Sequence, residues 1–416
     1  MKKVYIYALA YALTAVSCQD NEWGADSATP QAPEIEIPMG AADGELLIKF
    51  VPEMSDILDQ TLTRAGGIST RSGIPSTDEV LNILGAYHFE RVFPVDPKTE
   101  KRTREAGMHL WYIVRFDKDA DLKEAVRQLR KLGEISKIQS NPTLQRAYDP
   151  KKKTLYLSAS DLQHVTRTSE GLTFNDPGLK HQWHYQNTGS YDFVKEGAEA
   201  IAGADVNCGE AWKLCKGDPT IIVAVLDEGV MWNHPDLIGN MWTNEAEEIG
   251  STEDKDGNGY KGDRYGYNFV KNTGVISWTS AEDTGHGTHV AGTIAAVNGN
   301  NKGVGGIAGG DGTENSGVKI MTCQLFDGAY GCTLAAEAKA IKYAADNGAV
   351  ILQCSWGYNS PDANEALGYT PGPKDEQDWE NQYPLEKEAL DYFIHNAGSP
   401  NGVIDGGLAI FASGNE

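Results

Sequence analysis

Continuous apolar runs alternate with amphipathic segments through the second half of the chain. Residues 221–226 are apolar and rich in β-branched side chains, which is typical of an interior strand that is covered on both faces. Further strands are predicted at 319–325, 350–354 and 408–412, and helices after His286, at 333–347 and at 385–396. This alternation predicts an α/β domain over residues 173–416, a mostly parallel sheet with helices on both faces.

The first half of the chain has a different pattern. Strands are predicted at 46–50, 111–116 and 135–139, and an amphipathic helix at 122–132, where apolar residues recur at helical spacing. We therefore expect a small α+β domain over residues 44–147. Residues 148–172 are polar and contain three consecutive lysines, so they are predicted to be a linker suited to proteolytic processing.

The N-terminus has the pattern of an export signal. Two lysines precede an apolar run over residues 4–16, which is short for a membrane span. This pattern predicts a signal peptide at residues 1–18. Small residues directly before Cys18 resemble a bacterial lipobox, so we expect lipidation of Cys18, with ordinary cleavage beside a chance cysteine as the alternative. Residues 19–43 have the composition of a flexible tether. These features predict a cell-envelope or outer-membrane lipoprotein that is exposed at the surface.

The net charge bears on the expected binding partners, and the cysteine count bears on disulfide formation. The net charge of −23 argues against nucleic acid as a partner, and membrane contact is expected only through the lipid anchor. Five cysteines follow Cys18, and an odd number cannot all pair. Cys208 and Cys215 would be about 10 Å apart on one helix, beyond disulfide reach. We expect a monomer with mostly buried free thiols.

Three polar side chains stand where an α/β fold places its chemistry. Asp227 ends the first strand of the second half, His286 opens a glycine-bounded helix, and Asn415 follows the last predicted strand. The carboxyl ends of parallel strands meet at one edge of a sheet, where active sites form. An acid, a histidine and an amide donor in this order suggest acyl-transfer chemistry.

Four segments resemble motifs of the subtilisin-like serine proteases, the subtilases. Residues 225–229 resemble the aspartate motif, 286–292 the histidine motif, 355–357 the substrate-binding strand and 412–415 the oxyanion-hole segment. The resemblance implies that Asp227 orients His286, that His286 is the general base, and that Asn415 donates to the oxyanion. It further implies that Ser355, Trp356 and Gly357 bind an extended peptide or protein substrate. Glu228 departs from the pattern, because the family usually has Thr or Ser there.

The resemblance also implies a role for the first domain. Subtilases carry at this position a propeptide that acts as folding chaperone and inhibitor, with its tail, here residues 142–148, lying in the substrate cleft. The protein's own propeptide is therefore an expected partner, and the chain is expected to be a zymogen. An unrelated adaptor domain is the alternative for this segment.

The serine nucleophile of the family is absent from the sequence. It occurs in a Gly-Thr-Ser motif after the oxyanion asparagine, and no Gly-Thr-Ser occurs in the 416 residues. We expect the serine to lie beyond residue 416 and the chain alone to be inactive. The alternatives are a catalytically inactive peptide-binding protein of subtilase fold, and an autonomous inhibitor or chaperone acting through residues 44–147.

A loop at residues 254–263 has the composition of a structural calcium site. Oxygen donors alternate around mid-loop glycines, as calcium requires, although the final glutamate of an EF-hand is missing. The predicted ligands are Asp254, Asp256, Asn258, Tyr260 and Asp263. Asp236 corresponds to a calcium ligand of many subtilases.

A zinc site at the histidine motif is disfavoured. His286 and His289 are three residues apart, whereas zinc proteases use a spacing of four with an adjacent glutamate. We expect His289 to be a packed, hydrogen-bonded residue.

Overall fold

The computed structural model describes residues 41–145, 174–189, 200–360, 362–363 and 371–413. The predicted signal peptide with Cys18, most of the tether, the linker at 148–172 and the oxyanion donor Asn415 lie outside the described residues. None of the helices in the described ranges is long and apolar enough to cross a bilayer.

An antiparallel five-stranded sheet organises the first part of the described chain, in the order β2–β3–β4–β1–β5. Its strands are β1 Ala41–Phe50, β2 Ile68–Ser69, β3 His88–Arg91, β4 Trp111–Arg115 and β5 Ile135–Pro142. The helices of this part are α1 Ser55–Ala65, α2 Pro75–Ile83, α3 Glu100–Glu105 and α4 Leu122–Leu129. Asp121 caps the backbone N–H groups of Lys123 and Glu124 at the start of α4. The Phe89 and Tyr112 rings stack 4.7 Å apart inside the sheet's core.

A parallel sheet organises the second part, in the order β11–β10–β6–β8–β7, with a short antiparallel strand, β9, on β8. Its strands are β6 Ile222–Glu228, β7 Gly266–Asn268, β8 Lys319–Asp327, β9 Tyr330–Gly331, β10 Ala349–Cys354 and β11 Leu408–Phe411. The helices are α5 Cys208–Leu214, α6 His286–Ala295, α7 Leu334–Asp346, α8 Glu376–Gln382 and α9 Pro384–Asn396.

Strand β6 shows why the continuous apolar run is needed. All seven of its residues are buried. Ala224 and Leu226 face the core that contains α7 and α9, whereas Val223 and Val225 face the core that contains α6. The predicted α/β fold, a parallel sheet with helices on both faces preceded by an α+β region, is confirmed.

The cysteines of the described ranges are free, as predicted. Cys208, Cys323, Cys332 and Cys354 are buried and Cys215 is exposed. Burial raises the pKa of the Cys208 thiol above its ordinary value, which disfavours the reactive thiolate.

The antiparallel sheet packs against α7 and α9 through polar side chains of β5. The side-chain oxygen of Asn141 accepts a hydrogen bond from the backbone N–H of Ala335, at 3.0 Å. The side-chain oxygen of Gln139 accepts one from the backbone N–H of Leu385, also at 3.0 Å. Each helix has unpaired N–H groups in its first turn, so β5 supplies a cap for both.

Candidate active site

The carboxyl end of β6 and the first turn of α6 bring an acid and a histidine together. The Nδ1 atom of His286 lies 2.9 Å from each carboxylate oxygen of Asp227. A Cβ atom on Gly287 would lie 2.3 Å from the carbonyl oxygen of Glu228, so the helix approaches the strand this closely only with glycine there. The adjacency predicted for Asp227 and His286 is present.

The two side chains differ in exposure. Asp227 is 2% exposed, while the His286 side chain is 34% exposed and can meet a ligand from solvent. The hydrogen bond to Asp227 is the largest influence on His286 and raises its pKa, against the opposing effect of burial. With Nδ1–H donating to Asp227, the neutral ring leaves Nε2 free of a proton, and this nitrogen can act as a base.

The Glu228 carboxylate lies beneath the start of α6. Its Oε2 atom accepts hydrogen bonds from the backbone N–H groups of Thr284, Gly285 and His286, at 3.0, 3.1 and 3.1 Å, and from the Thr284 hydroxyl at 3.1 Å. Its own backbone N–H donates to Asp227 at 2.6 Å. Sequence reasoning assigned no role to Glu228, although its departure from the family residue was the available signal.

The segment at residues 355–357 follows β10 without regular secondary structure. Trp356 is 9% exposed and packs edge-on against Phe411 of β11, with ring centroids 5.1 Å apart. A Cβ atom on Gly357 would have no neighbour within 4 Å, so this glycine borders open space. Ser355, which directly follows β10, is half-buried.

The prediction that His289 is packed is wrong, because the residue is exposed. Helix α6 faces the sheet through Gly287, Ala291 and Ala295, which recur every four residues and are buried. His289 is turned about 200° from Gly287 around the helix axis and lies on the opposite face.

The described end of the first part runs along the entry to α7. Thr143 forms an antiparallel bridge with Thr333, and the backbone N–H of Leu144 donates to the carbonyl of Cys332 at 2.8 Å. Residues 143 and 144 therefore extend a short strand beside 332–333. Residues 146–148 lie outside the described ranges.

The loop at residues 254–263, called the acidic loop below, lies with the preceding Glu247 so that three carboxylates come together. Glu247, Asp256 and Asp263 each offer an oxygen, and the three oxygens lie within 4.8 Å of one another. Burial raises the pKa of Asp263 to about 6, against hydrogen bonds from Asn258, Tyr343 and Asn244 that favour its charged form. Hard oxygen donors at this separation fit a calcium ion. Glu247 was missed in the sequence, where it is one of several nearby glutamates with no distinguishing pattern.

The other residues predicted as metal ligands have different surroundings. Asp254 accepts from the backbone N–H groups of residues 257–259 and so holds the turn. The Asn258 side chain donates to Asp263 and accepts from the backbone N–H of Tyr260. Asp236 lies in another loop region, where it accepts from Val304 N and Asn300 Nδ2. The structure thus groups Asp256 and Asp263 with Glu247 rather than with Asp254.

The acidic loop also touches the first part of the chain. The Lys98 ammonium lies 3.4 Å from Asp256 Oδ2. Gly259 has a φ of +92°, and a Cβ atom there would lie 2.3 Å from Cβ of Pro94. The acidic loop can therefore approach Pro94 this closely only because residue 259 is a glycine.

The second part of the chain is thus a parallel α/β sheet with an acid–histidine pair at its carboxyl edge, and comparison with known proteins places it in a family. Residues 218–416 match the family model described as the subtilase family, Peptidase S8. This part of the chain is a domain of the subtilase family.

Individual relatives share parts of the chain. Subtilisin-like protease 1 of Plasmodium berghei is 29% identical over 57% of this chain and 35% of its own length. A halolysin-like extracellular serine protease of Natrialba magadii is 32% identical over 38% of this chain and 25% of its own length. The chain thus spans about a third or less of these relatives. Among solved structures, the Aeromonas sobria serine protease in complex with its chaperone has a TM-score of 0.40, at 23% identity over 59% of this chain and 32% of that one.

Proposed function

We propose that the protein is the precursor of an exported serine endopeptidase, and the observation that carries this proposal is the Asp227–His286 pair. Nε2 of His286 would take the proton from a serine hydroxyl as that oxygen attacks the peptide carbonyl. It would then give the proton to the leaving amine. Asp227 would fix the ring and stabilise the imidazolium that forms between the two steps.

The remaining parts of the proposed mechanism bind and stabilise the peptide. Residues 355–357 would pair with an extended substrate as an added strand, and the open space beside Gly357 would admit the side chain that precedes the cut. Asn415 would donate its side-chain amide to the oxyanion, a contact that contributes about 10²–10³ in rate. The nucleophile is a serine, and the 416 residues contain no Gly-Thr-Ser motif to supply it.

We propose that the domain at residues 44–147 is a propeptide that occupies the substrate-binding side of the subtilase domain. The caps from Asn141 and Gln139 and the strand pairing of Thr143 with Thr333 support this role. Residues 143 and 144 make these contacts in extended form, by backbone pairing of the kind with which a peptide adds to a strand.

Two further proposals concern export and metal. The apolar segment before Cys18, and the extracellular description of the Natrialba relative, support export, with a lipid anchor at Cys18. The carboxylate group of Glu247, Asp256 and Asp263 supports a structural calcium ion. When bound, the ion would neutralise these clustered charges and hold residues 247–263 together.

Fluorophosphonate labelling tests the proposed peptidase function. The product of the complete gene should react at a serine, and His286→Ala and Asp227→Asn should abolish or strongly slow the reaction, because each removes part of the base. The chain of 416 residues alone should not be labelled. A complete gene product that binds peptides but never reacts would instead indicate the inactive peptide-binding alternative.

A further inference from the structure

The environment of His286 contains two carboxylates, whereas the proposed mechanism uses one. Asp227 contacts the ring directly. Glu228 is 1% exposed and contacts the backbone that carries the ring, through Thr284, Gly285 and His286. Burying a carboxylate costs free energy unless its oxygens are fully hydrogen-bonded. We therefore expect the carboxylate at this position to have a function.

The contacts of Glu228 reach both members of the pair. Its backbone N–H donates to Asp227 Oδ1, and its side chain accepts from the backbone N–H groups that lead into the helix beginning at His286. Three successive N–H groups at a helix start form a site that favours negative charge. A neutral threonine could accept fewer of these bonds and would supply no charge.

We propose that Glu228 is a positioning residue for His286, which fixes the backbone of residues 284–286 and adds a second negative charge to the surroundings of the imidazole ring. This inference rests on the proposed function, in which His286 is the general base. The second charge favours the imidazolium that forms during each proton transfer.

Within the described ranges, His286 and Glu228 have further carboxylates as neighbours. Asp227 and Glu228 act on His286, and both raise its pKa. Asp283, on the loop before α6, faces Glu228, and burial raises the pKa of Asp283. Asp283 accepts hydrogen bonds from the backbone N–H groups of Ser280 and Gly328. Its contacts thus hold the loop rather than the ring.

A histidine titration measures the effect of the charge directly. The full chain is labelled with ¹³C at histidine Cε1, and the His286 signal among the nine histidines is assigned by its loss in His286→Ala. Glu228→Gln should lower the pKa of His286 by roughly one pH unit, because a neutral side chain no longer stabilises the imidazolium. Glu228→Thr, which introduces the residue usual in the family, should lower it similarly and tests the charge again if the glutamine variant does not fold.

The matched control is Glu282→Gln, which removes the same charge from an exposed residue four positions before His286. This change should move the His286 pKa by less than about 0.2, because solvent screens an exposed charge. The proposal is overturned if both Glu228 variants titrate like the parent chain, or if the control produces an equal fall. The titration needs no activity, so absent fluorophosphonate labelling would refute the proposed function without altering this result.

Discussion

Glu388 on α9 binds three side chains of the antiparallel sheet, and its loss should weaken the docking of that sheet. Its carboxylate receives the Lys49 ammonium at 2.8 and 2.9 Å and the Lys137 ammonium at 3.3 Å. The indole N–H of Trp111 donates to it at 2.7 Å. Trp111 is fully buried, so its N–H depends on this acceptor in the folded chain.

The expected cost follows from these contacts. Leaving a buried N–H without an acceptor costs about 1–3 kcal/mol. The Lys49 pair, with side-chain exposures of 16% and 19%, adds about 1 kcal/mol. Glu388→Ala should therefore weaken docking by roughly 2–4 kcal/mol, a factor of roughly 30 to 1,000. Glu388→Gln keeps an acceptor for Trp111 and should cost only about 1 kcal/mol.

Hydrogen exchange in the full chain measures this change. The amides of Ala335 and Leu385 are capped by the sheet, so their exchange reports its separation from α7 and α9. Amide exchange in the first turns of α7 and α9 should be fastest in Glu388→Ala, slower in Glu388→Gln and slowest in the parent chain. Glu380→Gln is the control, since the Glu380 side chain is 45% exposed and its ion pair with the Lys137 ammonium is long, at 3.4 Å. Equal exchange in Glu388→Ala and Glu380→Gln would refute this reasoning.

Two further predictions concern metal and pH. Chelation should lower the melting temperature of the full chain, since an ion bound only to the folded state stabilises that state. Glu247→Gln and Asp256→Ala should remove this response to chelation. Asp254→Ala should lower stability but leave the response to chelation in place. An Asp254 variant that alone lost the response would restore the sequence-based ligand set. Burial lowers the pKa of His109 to about 4 from an ordinary 6.5, so the unfolded chain binds a proton first and stability should fall as the pH drops from 6.5 towards 4. Denaturant midpoints at pH 7.5 and 4.5 should differ less in His109→Gln than in the parent, and an unchanged difference would contradict this.

The sequence predicted the sheet and its helices well where one pattern dominates. The strand predicted at 221–226 is Ile222–Glu228, and the helix predicted at 333–347 is Leu334–Asp346. Continuous burial and helical periodicity are local properties, so they can be recognised without the fold. Helix α4 ends at Leu129, three residues before the predicted end at 132, because apolar spacing alone does not define the last turn.

The candidate site was predicted only in part, because some of its neighbours are far apart in the sequence. Asp227 and His286 follow from motifs, but Glu247 becomes a neighbour of Asp256 and Asp263 only through the path of the loop. Glu228 shows the same limit, since its partners are 56 to 58 residues away. His289 was misjudged because the buried face of α6 depends on which side the sheet covers.

The close approach of Pro94 to Gly259 has a consequence for related sequences. Any side chain at 259 would occupy the space now filled by the proline ring, so substitutions at these two positions are expected to be coupled. A chimera that joins the N-terminal domain of this protein to a relative's peptidase domain should assemble only where the relative also has glycine at the equivalent position. One absent methyl group would thus help decide which domains remain interchangeable as the two halves of the gene diverge.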